Sequence, residues 1–334
     1  MHRPDPAVIV RQVEHDGPFR CFQRFEGQPW LQGDADSGSD QAQHGHRVVG
    51  GVGDPRAEAL AATGREQVTS ALVANVAAGL PAGAEVLVGE TEFNSVVLPF
   101  TAGQRLRVRT VALAELATAI SDETALVAFS LVKSATGEVI DAGPILEAAR
   151  HGALTLADLT QAAGVLPVRA DDFDVTVCHS YKWLCTPRGV AFLTARPEVA
   201  DRLVPVAAGW YSADDPWRNC YWPEQATTRT ARGFDTAPAW QAFVGARESI
   251  SLFAQADVEA LWAHASDLGD QLCQGLGLPE QHRAIVSWPD PDHRQLARMT
   301  AAGLRASSPL GLIRVAFHLW NTTEDVSAAL AALR

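Results

Sequence analysis

The chain of 334 residues lacks three things. It has no paired C-x-x-C spacing: Cys21, Cys178, Cys185, Cys220 and Cys273 are odd in number and scattered. That argues against a cysteine-based zinc site or a disulfide framework, and the thiols read as reduced ones in a cytoplasmic protein, with no metal expected. It has no apolar run approaching the roughly 18 to 20 residues that span a bilayer, and no charged segment leading into an apolar signal core, so no membrane association is expected. It also lacks cationic excess. With 27 Lys and Arg against 39 Asp and Glu the formal charge is -12, which gives no broad attraction to nucleic acid or anionic lipid. A small anionic ligand would have to be met by local cations.

Hydrophobic residues make up 47% of the sequence, enough for a substantial core. From about Ala71 onward, apolar runs alternate with helical patterns. "AEVLVGE" (84–90), "LRVRTVAL" (106–113), "TALVAFSLV" (124–132), "ALTLADLT" (153–160), "FDVTVCHS" (173–180) and "GVAFLTAR" (189–196) read as buried strands, and segments such as "GPILEAARHG" between them carry helical spacing. This repetition predicts an α/β fold with a mainly parallel sheet covered on both faces. Residues 244–276 read as one or two helices. "HRAIVSWPD", "LARMTAAGLRAS", "GLIRVAFHLWN" and "TTEDVSAALAALR" then predict strand, helix, strand, helix, the last with Glu324 and Asp325 in its first turn. The expected division is a major domain over 67–245 and a smaller C-terminal α+β domain over 246–334. Residues 1–66 are rich in Gly, Asp, Gln, Arg and His without a sustained period, and read as a flexible arm or as a segment translated out of frame from a GC-rich gene.

Ligands of an open parallel sheet bind at the carboxyl ends of its strands, so polar residues that close apolar runs carry the chemical signal. Asp158 closes "ALTLAD", with Gln161 one turn on; Lys182 follows "FDVTVCHSY"; Glu92, Phe93, Asn94 and Ser95 follow "AEVLVGET". A lysine amine, a carboxylate and an aromatic face meeting in one crevice suit pyridoxal phosphate: a Schiff base, a partner for the pyridine nitrogen, and a stacking surface. Singly, the aspartate reads more often as a helix cap and the lysine more often as a snorkelling surface residue.

In this order the segments resemble the class V aminotransferases, fold-type I enzymes dependent on pyridoxal 5'-phosphate that include cysteine desulfurases, kynureninase and isopenicillin N epimerase. The resemblance covers roughly Val68 to Arg334. It is carried most strongly by "ADLTQAAGVLPVRADDFDVTVCHSYKWLCTPRGVAFL", which is similar to the family's D-x-x-Q-x-x-G followed by a lysine and a Gly-Pro turn. It implies that Lys182 is the Schiff-base lysine, that Asp158 partners the pyridine nitrogen, and that Gln161 donates to the phenolic oxygen. Phe93 stands where desulfurases have a stacking histidine; it can stack but cannot transfer protons. His179 and Tyr181 fall at phosphate-contacting positions, and Ser134 and Thr136 lie in a substrate-side loop. Arg314, in "LIRVAFHLWNTTED", matches the arginine that binds the substrate α-carboxylate, a task suited to a planar guanidinium. Thr236 is the candidate for reaching the phosphate of a neighbouring subunit in a homodimer.

The resemblance thus implies an aminotransferase or β-eliminating lyase acting on a small α-amino acid, with epimerase or desulfurase-like activity as alternatives inside the family. "HRQLARMTAAGLRASSPLGLIR" holds no cysteine where desulfurases carry their nucleophile. A non-catalytic relative is the alternative of another kind, because the Gly-Thr-Thr turn that cradles phosphate is missing and Thr69 and Ser70 are the only nearby hydroxyls.

Overall fold

The structure, a computed structural model, describes residues 68–217, 220–221, 226–236 and 239–334. The segment 1–66 lies outside them. The six apolar runs form strands β1 (Glu85–Gly89), β2 (Arg107–Val111), β3 (Thr124–Ser130), β4 (Leu154–Asp158), β5 (Val175–His179) and β6 (Ala191–Ala195). They make one sheet in the order β2-β1-β3-β4-β5-β6, parallel throughout except for the antiparallel pair β5 and β6.

Strand side chains alternate between faces, and both faces of the central strands are covered. On one, Val86, Val88, Leu126, Ala128, Leu156, Val175 and Val177 pack under Leu72, Val73 and Val76 of α1 (Val68–Gly79) and Val96 and Phe100 of α2 (Asn94–Thr101). On the other, Leu87, Val127, Phe129 and Ala157 meet Ile145 and Ala149 of α3 (Ala142–Ala149). The short α4 (Pro197–Ala200) adds Val199 to the first layer.

β2 departs from expectation: it is an edge strand with mostly accessible side chains rather than a buried one. Its alternating arginines decide this, since Arg109 pairs with Glu85 at 2.9 Å and Arg107 with Glu123 at 3.3 Å. A charged edge also discourages pairing with a foreign strand.

The apolar stretch after residue 239 forms two helices, α5 (Trp240–Phe253) and α6 (Val258–Leu276), so the boundary placed at 245/246 falls inside α5. Asp257 caps α6 by accepting from the backbone N–H of Ala260, and Gly277, at φ 69°, ends it in the left-handed conformation glycine tolerates. A second sheet pairs β7 (Ile285–Pro289) antiparallel with β8 (Leu312–Ala316), with α7 (Arg294–Ala301) between them and α8 (Thr323–Leu333) after them. Leu268 and Leu272 of α6, Met299 of α7, Val315 of β8 and Val326 of α8 share its core.

The two sheets meet where the site forms. Gly137, at φ 75°, lies so close to β7 that a Cβ would fall 2.0 Å from the carbonyl oxygen of Ile285. Only glycine lets the turn after β3 lie against β7, which brings Ser134 beside Arg314 of β8.

Candidate active site

The chain passes from β1 to β2 on one side and from β2 to β3 on the other, so the strand order reverses between β1 and β3. Crevices at such points hold ligands in open α/β sheets. A cavity of about 190 Å³ opens there, at the carboxyl ends of β1, β3, β4 and β5.

Its floor is Asp158, the last residue of β4 and 4% exposed. The carboxylate accepts the backbone N–H of Thr160 at 2.8 Å. Burial pushes its pKa up to about 6, against the lowering effect of the Thr160 hydrogen bonds and the charge of Lys182. A carboxylate so placed is short of positive partners, and a protonated ring nitrogen would relieve it.

Lys182 lies beyond the end of β5, and its Nζ stands 5.7 Å from the Tyr181 ring and 5.8 Å from the Phe93 ring. It is therefore a cavity lysine rather than a surface charge. The Arg188 guanidinium sits 4.2 Å from the centre of the Tyr181 ring and also lines the cavity. His179, the last residue of β5, contacts the Tyr181 ring edge-on at 4.4 Å. Burial, then the charges of Lys182 and Arg188, lower its pKa to about 4, so its ring is neutral at pH 7. Its buried Nε2 has no hydrogen-bond partner among the described residues, an unusual cost that a bound polar group would remove.

Behind this front lies a buried ion pair. Glu92 meets Lys133 at 3.1 Å with both side chains at most 2% exposed, and it also accepts from the Ser130 hydroxyl at 2.6 Å and the Ser130 backbone N–H at 3.0 Å. Lys133 donates to the Glu90 carbonyl at 3.1 Å. The pair ties the end of β1 to the end of β3 and fixes the chain from which Phe93 projects.

The profile of the aminotransferase class-V family matches residues 62–309. This chain belongs to that family. Its curated relatives include a Bacillus subtilis (strain 168) protein described as an uncharacterized aminotransferase, YcbU, 29% identical over 227 residues that cover 64% of this chain and 60% of the relative. A kynureninase of Yarrowia lipolytica is 32% identical over 161 residues, 46% of this chain and 37% of the relative. The chain thus spans less than two thirds of the length of either. Among solved structures, the cystine C-S lyase C-DES, in complex with its reaction product cysteine persulfide, superposes with a TM-score of 0.71 over 82% of this chain and 81% of its own at 20% identity, a likeness of fold.

Class V aminotransferases are transferases and lyases dependent on pyridoxal 5'-phosphate, and the cavity offers what that group needs. It offers a buried carboxylate for the ring nitrogen, a lysine amine, an aromatic face, and hydroxyls and cations for a phosphate. Of the residues marked in the sequence, Phe93, Ser134, Asp158, Gln161, His179, Tyr181 and Lys182 all line it. Thr69 and Ser70 of α1, the hydroxyls nearest the missing Gly-Thr-Thr turn in sequence, line it too.

Arg314 and Thr236 do not line it. Arg314, 7% exposed, donates through Nη1 to the Ser134 carbonyl and so lies directly behind a lining residue. Thr236 has a buried hydroxyl without a hydrogen-bond partner among the described residues. Arg188 and Thr160 as lining residues, and Lys133 as the partner of Glu92, went unmarked in the sequence. Arg188 stood within "KWLCTPRG", where its charge was the available signal.

Proposed function

We propose that this class V family member acts on a small α-amino acid as an aminotransferase or β-eliminating lyase, with Lys182 as the covalent anchor of pyridoxal phosphate. The observation that carries the reading is Lys182 Nζ between the Phe93 and Tyr181 rings in a cavity floored by the buried Asp158 carboxylate.

Bound pyridoxal phosphate supplies a carbonyl that condenses with amines and an electron-poor ring that delocalises charge from the substrate's Cα. Asp158 would hold the proton of the pyridine nitrogen, which would relieve the cost of burying its own charge. Phe93 gives a flat apolar face and no proton. Lys182 Nζ would hold the group, and as a free amine it would be the base at the substrate's Cα. Gln161 would donate to the phenolic oxygen. Thr69, Ser70, His179, Tyr181 and Arg188 would receive the phosphate, where the neutral His179 ring could donate without adding charge. Arg314, steadied by the Ser134 carbonyl directly behind the cavity wall, would bind the substrate's α-carboxylate with Ser134 beside it.

Sulfur transfer through a cysteine nucleophile is disfavoured by the thiols nearest Lys182. Burial raises the Cys178 thiol well above its ordinary value, and partial burial of the Cys185 sulfur, on a residue otherwise exposed, pushes it up to about 11, so neither supplies a thiolate at neutral pH. The reading also includes a homodimer, with Thr236 serving the neighbouring subunit, and a cytoplasmic setting. The exposed rings of Trp210, Trp217 and Trp240 support an association surface, since Trp210 contacts Trp217 and Trp240 contacts Tyr211. Among the described residues no helix is long and apolar enough to cross a membrane.

A product screen tests the reaction class. Cofactor-loaded protein incubated with cysteine-like and other small amino acids should release pyruvate, or form a keto acid only when an acceptor is present. Neither product from any small amino acid, or inversion at Cα alone, contradicts the assignment.

A further inference from the structure

Trp183 directly follows Lys182 in the chain. Its ring is 4% exposed and belongs to the core beneath the cavity. Its indole Nε1–H donates to Gln161 Oε1 at 3.0 Å. An indole nitrogen is a donor only, so the amide must turn its oxygen toward Trp183 and leave its NH₂ for the other side. Gln161 lines the cavity, and without that bond its amide could present either oxygen or nitrogen there at nearly the same shape. We propose that Trp183 is a positioning residue that locks the Gln161 amide with its N–H donors toward the bound cofactor. The inference rests on the reading of this cavity as the pyridoxal-phosphate site.

Trp183 is itself held in place. Its ring stacks on His318, centroids 4.9 Å apart and planes at 20°, and His318 stacks on Trp320 at 3.9 Å and 8°. The Leu319 backbone N–H donates to His318 Nδ1 at 2.8 Å, which puts the ring proton on Nε2. From there it is donated to the Trp183 carbonyl at 3.0 Å. His318 and Trp320 lie in the turn that follows β8, the strand of Arg314. The amide facing the cofactor and the guanidinium facing the substrate therefore hang on the same stretch of chain.

A double-mutant cycle on pyridoxal-phosphate affinity separates positioning from simple packing. Trp183→Phe keeps an aromatic ring and removes the donor. It should weaken binding of pyridoxal phosphate about five- to tenfold, the loss expected of one neutral hydrogen bond, while Gln161→Ala already in place should reduce that effect to less than about twofold. Independently, the Trp183 indole proton in the cofactor-free protein should exchange with solvent about tenfold faster or more in Gln161→Leu, which decides the matter even if Trp183→Phe fails to fold. Equal weakening in both backgrounds, or an indole proton unmoved by Gln161→Leu, overturns the proposal. Wild-type protein that takes up no pyridoxal phosphate while the indole stays protected overturns the cofactor reading and this role together. That outcome differs from a failure of positioning alone, in which wild-type protein binds and the two effects simply add.

Discussion

Replacing Asp158 with Asn should make the cofactor-free protein more stable while destroying its use of the cofactor. Burial raises the Asp158 carboxyl from 3.8 to about 6, so the folded state holds its proton more tightly than the unfolded chain does. For an acid raised in this way stability is greatest at low pH and is lost as pH rises from the unfolded to the folded value. A rise of that size corresponds to about 3 kcal/mol of destabilisation once pH is well above 6. At pH 5 the folded group is largely protonated and the unfolded one ionised, which leaves about half of that. The amide in Asp158→Asn can still accept from the Thr160 N–H and carries no charge, so it escapes this penalty. Urea unfolding of both cofactor-free proteins at each pH should show the variant ahead by up to about 3 kcal/mol at pH 8 and by about half of that at pH 5. Taking the difference at each pH cancels the contributions of the other titratable groups. A variant no more stable than wild type at pH 8, or a gap that does not narrow on acidification, would refute the reasoning.

Other consequences are as direct. Lys133→Ala leaves the Glu92 carboxylate buried without its counter-charge and should cost about 3–5 kcal/mol, seen as a lowered urea midpoint; a loss below about 1 kcal/mol would mean that water reaches the pair. His179 and His318 are both lowered to about 4 by burial, so their contribution to stability is present above pH 6.5 and lost as pH falls toward 4. Replacing both with Gln should flatten the fall in urea midpoint between pH 6.5 and 4.5, and an unchanged slope would contradict their burial in neutral form. Arg314→Ala should lower kcat/KM about 10- to 100-fold with cofactor affinity nearly unchanged, whereas a parallel loss of cofactor would place Arg314 at the phosphate instead.

Most of the sheet could be read in advance because a central parallel strand must be apolar on both faces, and uninterrupted runs such as "TALVAFS" and "EVLVG" have few other uses. "RVRTV" has the same period with charge on it, and only its place at the edge of the sheet explains why the arginines are tolerated. Asp158 and Lys182 were visible because a charge directly after an apolar run marks the end of a strand. Partners made by folding were not. Lys133 meets Glu92 from 41 positions away, Trp183 meets Gln161 from 22, and no local pattern records either pairing. Thr69 and Ser70 show a further limit: the sequence marks them only as the hydroxyls nearest the missing Gly-Thr-Thr turn, and it is the packing of α1 against the sheet that brings them to the cavity.

The central claim is that Lys182 holds pyridoxal phosphate covalently. Full-length protein should be loaded with the cofactor, its absorbance recorded, reduced with borohydride, digested and mapped by mass spectrometry. The account predicts a near-visible band that reduction abolishes, with the cofactor's mass retained on the peptide containing Lys182 and absent from Lys182→Ala. A protein that stays colourless with added cofactor, or one labelled at another lysine in wild type and Lys182→Ala alike, would contradict it.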